Sequence, residues 1–430
     1  MSAPTLDDGR VIAFEFKEAP EDFEVEELDA PPDRDDAEAT NAAPATGAID
    51  SAHAQSGGDH LTLRVRAVGL GTQEVARRLT RALGLGPRAA SFAGRKDVQA
   101  VITQRLAFEH GDPARLDTAE ARESLGDRIE VLEVAWRRSA LRAGESLGNR
   151  FGITLRGVAA ADAPLLTQRL ARIAARGLPN AFGAQRFGRD GRTAELGRLL
   201  VQGDPLAYLD GLAATSDERH REAALELARR AREGTPGEKR KATELCRGLD
   251  RTLAEVARQL ARRRDDPDSL VRVVPKEQRG FHLSALQSRI FDRVLAARVT
   301  AGTFDVPHEG DVLLRPGRGP FVLRHRADVG VVAAASAWQL EVSGPMWSPR
   351  MVLAEGATFA AELAALAAEG LAPEALERPG GLAPKGARRA LRARVGEARV
   401  EPLGGDGALR LVCTLPAGAY ATTLLDALRG

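Results

Sequence analysis

In the first third of the chain, apolar and polar residues alternate with a period of two, the pattern of half-buried strands. Residues 11–17 alternate through Ile12, Phe14 and Phe16, and residues 23–28 set Phe23 and Val25 on one face, with Pro20-Glu21-Asp22 punctuating the two. Residues 61–68, 98–104, 128–136 and 152–155 read as further strands. Between them the period changes to that of a helix. Val75, Leu79 and Leu83 share one side of a helix entered at Gly69-Leu70-Gly71-Thr72, with Arg77, Arg78 and Arg81 opposite, and a second helix covers about 163–176. The glycine pair is not a dinucleotide fingerprint, because Glu74 occupies the place of the third glycine. Thr72 is assigned as the helix N-cap.

The middle of the chain reads differently. Residues 193–264 are helical and rich in Arg, Lys and Glu, with breaks at Asp204-Pro205 and Gly234-Thr235-Pro236-Gly237. Such a stretch reads first as a solvated surface with i,i+4 pairs, and second as an RNA-backbone surface through Arg262-Arg263-Arg264. From 281 to 299, Leu283, Leu286, Ile290, Val294 and Leu295 recur at core-helix spacing. Short strands and glycine turns fill 303–345, Ala-rich helices follow between 355 and 393, and strands near 396–402 and 409–415 precede a terminal helix near Thr422-Thr423. Residues 29–58 are Asp-, Ala-, Pro-, Ser- and Gly-rich, and have too few large apolar groups to offset ordering entropy, so a disordered loop is expected.

Composition narrows the class. With 430 residues, 43% hydrophobic and 28% charged, the chain is a folded protein of about two domains. Cys246 and Cys413 are the only cysteines, which excludes a disulfide framework and a CxxC metal knuckle. The seven histidines are scattered, and there is no Walker A loop, HExxH or GxSxG, so neither a metal nor a nucleotide cofactor is expected. No apolar run approaches the ~18–20 residues of a membrane span, and the N-terminus lacks a signal-peptide core; a cytoplasmic location is expected. The formal net charge of +1 leaves nucleic acid open, because placement of charge decides that question.

One stretch carries candidate chemistry: Ser91-Phe92-Ala93-Gly94-Arg95-Lys96-Asp97, leading into a β-branched run. Ala93 and Gly94 permit a tight turn. A carboxylate beside a fixed cation stays ionised at neutral pH, the state required of a nucleophile or base. A turn bearing a solvated Lys–Asp pair is the plainer reading of the same residues.

Five segments in order resemble the TruD family of tRNA pseudouridine synthases. They are Lys17-x-x-Pro20-Glu21-Asp22-Phe23-x-Val25-x-Glu27; Phe92-Ala93-Gly94-Arg95-Lys96-Asp97 with Gln104; Gly148-Asn149-Arg150-Phe151; Pro179-Asn180-x-Phe182-Gly183-x-Gln185-Arg186-Phe187-Gly188; and Leu415-Pro416-Ala417-Gly418-Ala419-Tyr420-Ala421-Thr422. The resemblance implies an α+β (mixed α/β) fold. A catalytic domain with a mixed, mostly antiparallel sheet flanked by helices would be built from 1–187 and 394–430, and an α/β TRUD domain would be inserted at 188–393. The loop at 29–58 and the helices near 195–265 look longer than the family's usual connections.

The resemblance also implies a reaction. A uridine of tRNA, at position 13 in the family, becomes pseudouridine without a cofactor. Asp97 would be the catalytic aspartate, attacking C1′ or C6 or removing the 2′ hydrogen in a glycal route. Lys17 and Glu21 would lie in the active-site cleft, and Asn149 would hydrogen-bond near the aspartate or the target nucleotide. Phe151 and Tyr420 would offer ring faces to an unstacked base. Lys96, Arg186, Arg137, Arg138 and Arg142 are candidate RNA contacts, with hinge packing an equal reading for Arg186. The partner would be tRNA, and the protein a monomer. A non-catalytic tRNA-binding or RNA-folding protein is the alternative; a carboxylate-dependent hydrolase would need a second carboxylate, for which only Glu21 is a candidate.

Overall fold

The computed structural model describes residues 10–29, 43–44 (backbone only), 59–96, 98–262, 266–377, 381–404 and 407–430. The loop expected at 29–58 lies almost wholly outside the described residues, as do Asp97, Arg263 and Arg264. The chain divides into two units, one of residues 7–178 with 393–430 and the other of residues 179–392.

The first unit opens on an extended segment rather than the strand expected at 11–17. Ile12 and Phe14 are buried, but among the described residues the segment forms one isolated bridge, Glu15 to Arg156, closed by N–H···O bonds of 3.0 and 2.9 Å, and one further bond from the Ile12 N–H to Arg429 O at 2.8 Å. Lys17 then adopts a left-handed φ of 63° and ends the extension. Strand β1 (Phe23–Leu28) follows, then β2 (His60–Val68), α1 (Thr72–Ala82), β3 (Ala90–Phe92) and β4 (Val101–Glu109). Strand β4 begins three residues later than its sequence suggests, because Ala100 is engaged with the β2–α1 turn through the Gly69 N–H. Next come α2 (Ala119–Leu125), β5 (Ile129–Arg137), β6 (Gly148–Leu155) and α3 (Ala163–Arg176).

In the second unit the charge-rich region folds as α4 (Arg192–Gln202), α5 (Pro205–Thr215), α6 (Glu218–Glu233), α7 (Pro236–Arg240), α8 (Arg251–Ala261) and α9 (Pro267–Val273). The two breaks are helix starts. Asp204 accepts the Ala207 N–H, and Thr235 and Glu238 form a capping box. These helices enclose a core of their own around Leu209, Leu212, Leu227, Leu253 and Leu260. Helix α10 (Lys276–Thr300) buries the five apolar residues that its spacing singled out. Strands β7 (Val312–Arg315) and β8 (Arg318–Val322) precede α11 (Val329–Ser336), a helix the sequence did not announce because its apolar run has no helical period. Asp328 caps it through the Val331 N–H. Then follow β9 (Glu341–Met346), α12 (Gly356–Ala367) and β10 (Ala387–Ala390). Helices were expected as far as 393, but after α12 the chain instead adds β10 to the edge of β9, with Arg388 paired to Glu362 at 2.6 Å in full burial.

The chain returns to the first unit with β11 (Gly396–Pro402), β12 (Leu409–Pro416) and α13 (Ala421–Arg429). Among the described residues the sheet has nine strands in the order β11-β12-β6-β1-β4-β2-β5, with Ala43–Pro44 outside β5 and β3 on β4. Only β1 and β4 run parallel, Val25 facing Ile102. The sheet is therefore mixed and mostly antiparallel, and it sets three motif-bearing strands, β1, β6 and β12, side by side.

Candidate active site

Alternation along β1 puts Phe23, Val25 and Glu27 on one face, and Glu27 is only 5% exposed. In register, Glu27 faces Asn149 of β6, Asn149 faces Leu415 of β12, and Val25 faces Phe151. A carboxylate buried in this way needs a partner. Lys96 supplies it: its Nζ lies 2.9 Å from Glu27 Oε2, with side chains 8% and 4% exposed, and donates to Asn149 Oδ1 at 2.6 Å. The Lys96 N–H donates to Thr72 Oγ1 at 2.8 Å, and the Thr72 hydroxyl in turn donates to Gln104 Oε1 at 3.1 Å. Gln104, 1% exposed, is left with Nε2 lacking a partner among the described residues. Three strands and the start of α1 thus converge on the residue before Asp97.

This network corrects two expectations. Thr72 is not the N-cap: Gly71 holds that place in an extended conformation, and Thr72, the first helical residue, spends its hydroxyl on Lys96 and Gln104. Lys96 is not an exposed phosphate contact, because its ammonium is turned inward onto Glu27 and Asn149.

The other candidates fall around this centre. Phe151 is buried, its ring edge-on to Phe23 at 6.0 Å between centroids. Lys17 Nζ lies over the Phe23 ring at 4.2 Å, which links Lys17 to Phe151 through one aromatic. Glu21 is exposed in the 3-10 turn Pro20–Asp22. Its neighbour Asp22 is the buried carboxylate there, and the Arg156 guanidinium, bonding to both Asp22 oxygens, holds its carboxyl below the usual carboxylate range. Tyr420 is half-buried in the turn after β12. Since Pro416 faces Gly148 and the Ala417 N–H donates to Leu147 O at 3.1 Å, that turn leaves the sheet at the Asn149 end.

Arg137 pairs with Glu145 at 2.6 Å, while Arg138 and Arg142 are exposed. Their loop packs on the motif strand through Leu141 N–H to Ser91 Oγ and Gly144 N–H to Ala93 O, both 3.0 Å. Arg186 belongs to the second unit, where its guanidinium bonds Ser288 Oγ at 3.1 Å and Ser284 Oγ on α10. Nearby, the Phe182 N–H donates to Asp292, whose carboxyl burial pushes up to about 7.

Sequence reasoning left out Glu27, Gln104 and Thr72 as site residues. For Glu27 the signal was present: it is the third member of the Phe23, Val25 alternation, and so the one acid on the apolar face.

The geometry can be compared with known proteins. The family model for tRNA pseudouridine synthase D (TruD) matches residues 6–428. The chain belongs to the tRNA pseudouridine synthase D family. The tRNA pseudouridine synthase D of Geobacter metallireducens is 34% identical over 373 residues, covering 86% of this chain and 88% of that one. That of Geobacter sp. strain M21 is 32% identical over 417 residues, 96% and 95% of the two chains. A crystal structure assigned to tRNA pseudouridine synthase D from Methanosarcina mazei superposes with a TM-score of 0.72 at 21% identity, covering 100% of this chain and 95% of that one, which shows that the fold is shared. Among the described residues no helix is long and apolar enough to cross a membrane.

Proposed function

We propose that this chain isomerises uridine to pseudouridine in tRNA, at position 13, with Asp97 as the catalytic carboxylate. The observation that carries the reading is the anchoring of Lys96. Its ammonium is held by Glu27 and Asn149 and its backbone by Thr72, so the chain enters residue 97 from a fixed point, as a positioned carboxylate requires.

The N1–C1′ bond breaks and a C5–C1′ bond forms; the C5 hydrogen leaves as a proton and N1 gains one. Nothing is oxidised or reduced, so the reaction needs no cofactor. The Gln104 amide hydrogens, buried without an acceptor among the described residues, are donors available to a carboxylate at this end of the sheet. Half-buried Tyr420 offers a ring face, and Phe151, packed on Phe23, lies within the same sheet. Glu21, at the exposed turn, adjusts the charge at the cleft mouth. The unit of residues 7–178 and 393–430 carries the chemistry, and 179–392 form the inserted domain, nine residues earlier at its start than the boundary expected at 187/188. The enzyme acts as a monomer in the cytoplasm, where its tRNA is.

Carbodiimide labelling of a treated tRNA transcript, read by primer extension, tests this. A new stop at position 13 is expected. A stop at another uridine would keep the isomerisation and remove the position. Bound tRNA with no stop at all would leave a non-catalytic tRNA-binding protein.

A further inference from the structure

A groove of about 590 Å³ runs between α1 and β3 in the first unit. Its floor is Phe92 and Ala90; Arg77 and Arg81, one turn apart, stand on the α1 wall, and Leu85 and Pro87 close the far end. No carboxylate lines it. Arg77 is shared with Glu74, whereas the exposed Arg81 guanidinium makes no hydrogen bond or ion pair among the described residues. The groove is tied to the candidate active site by two elements of the fold. Phe92 faces Leu106 and so lies on the same sheet face as Gln104, Glu27 and Asn149. And α1, which forms the wall, begins at Thr72, the residue that holds the Lys96 backbone.

We propose that this groove binds the single-stranded run of substrate RNA flanking the target uridine, with one base on the Phe92 ring and its phosphate between Arg77 and Arg81. The site combines what such a ligand recognises: an aromatic face that takes any base, and two cations, of which Arg77 is half-neutralised by Glu74 and Arg81 has no opposing acid among the described residues. Arg95, exposed and without a partner among the described residues, continues the cationic track from Phe92 toward Lys96. The assignment rests on the proposed reading of the chain as acting on tRNA.

The test uses the full chain and an end-labelled tRNA transcript, with binding followed by fluorescence anisotropy across salt and turnover by tritium release from [5-³H]uridine. Arg81→Ala is expected to weaken binding about fivefold and to reduce the salt slope by about one, with Arg81→Lys restoring both. Phe92→Leu, which keeps the apolar volume, is expected to raise KM about tenfold with the salt slope unchanged. Arg318→Ala, an exposed arginine of the second unit outside the charge-rich helices, serves as control and stays at wild type. Unchanged binding and slope in Arg81→Glu would overturn the proposal while leaving the isomerisation intact. A dimer lost in Arg81→Glu would also overturn it, giving the groove to a second copy. RNA bound through Arg81 with no tritium released would uphold the groove and remove the reaction.

Discussion

Lys96→Met is expected to destabilise the first unit by about 3–5 kcal/mol, the cost of leaving one charge of a buried pair without its partner. In a unit of this size that corresponds to a melting temperature lower by roughly 6–20 °C. Glu27 sits in the sheet at 5% exposure, with strands on both sides, and cannot turn to water without breaking the β1–β6 ladder. Asn149 loses its donor at the same time. The companion variant separates folding from function. In Lys96→Met/Glu27→Leu both charges are gone, and replacing a buried pair by apolar groups is near neutral or stabilising. The double variant should therefore regain most of the melting temperature, measured by circular dichroism. It should still isomerise about 100-fold more slowly, because the chain entering residue 97 has lost its side-chain anchor and a misplacement of an ångström has that effect. A double variant that is both stable and fully active would show that the Lys96 ammonium only holds the fold.

Gly148→Ala is the second large effect. β6 and β12 approach so closely at Gly148 that a methyl group built there would overlap the Leu415 carbonyl oxygen and crowd Pro416. These are backbone atoms and have no rotamer to escape into. The pairing of Asn149 with Leu415, one residue on, is the first that must open. The expected cost is about 3 kcal/mol, the upper end for overpacking. Because the displaced residue is the one that accepts from Lys96, activity should fall more than stability alone explains. Turnover measured well below the melting temperature checks this: activity equal to wild type there would mean that the strands can part at Gly148 without moving Asn149.

These two effects mark what was legible in the chain. The alternation of residues 23–28 and 61–68, and the helical spacing of 72–82, were readable because each element buries one face; that of 281–299 was readable through Leu283, Leu286, Ile290 and Val294, which share one core cluster, while Phe291 and Leu295 belong to another. Residues 11–17 show the same alternation and bury Ile12 and Phe14, yet among the described residues they form an isolated bridge at Glu15 and no ladder; burial is written in a period-two pattern, but ladder pairing is not. Helix α11 escaped notice for the opposite reason, since its apolar residues have no period to read. At the site, the motif residues could be named from resemblance, but their partners could not. Which residue meets Lys96 depends on register: Glu27 and Asn149 are 122 positions apart and become neighbours only when β1 and β6 pair. The role of Thr72 was misread because capping is the commoner use of a threonine at a helix start, and the competing hydrogen bond comes from a residue 24 positions away.

The most direct measurement is tritium release from tRNA carrying [5-³H]uridine, comparing this protein with Asp97→Asn. Moving the glycosidic bond to C5 expels that hydrogen. Release by the wild type, and none above background by a variant that folds and binds tRNA as well, is the expected result. Release at comparable rates by both would contradict the account, since a network built to position residue 97 would then be serving no carboxylate.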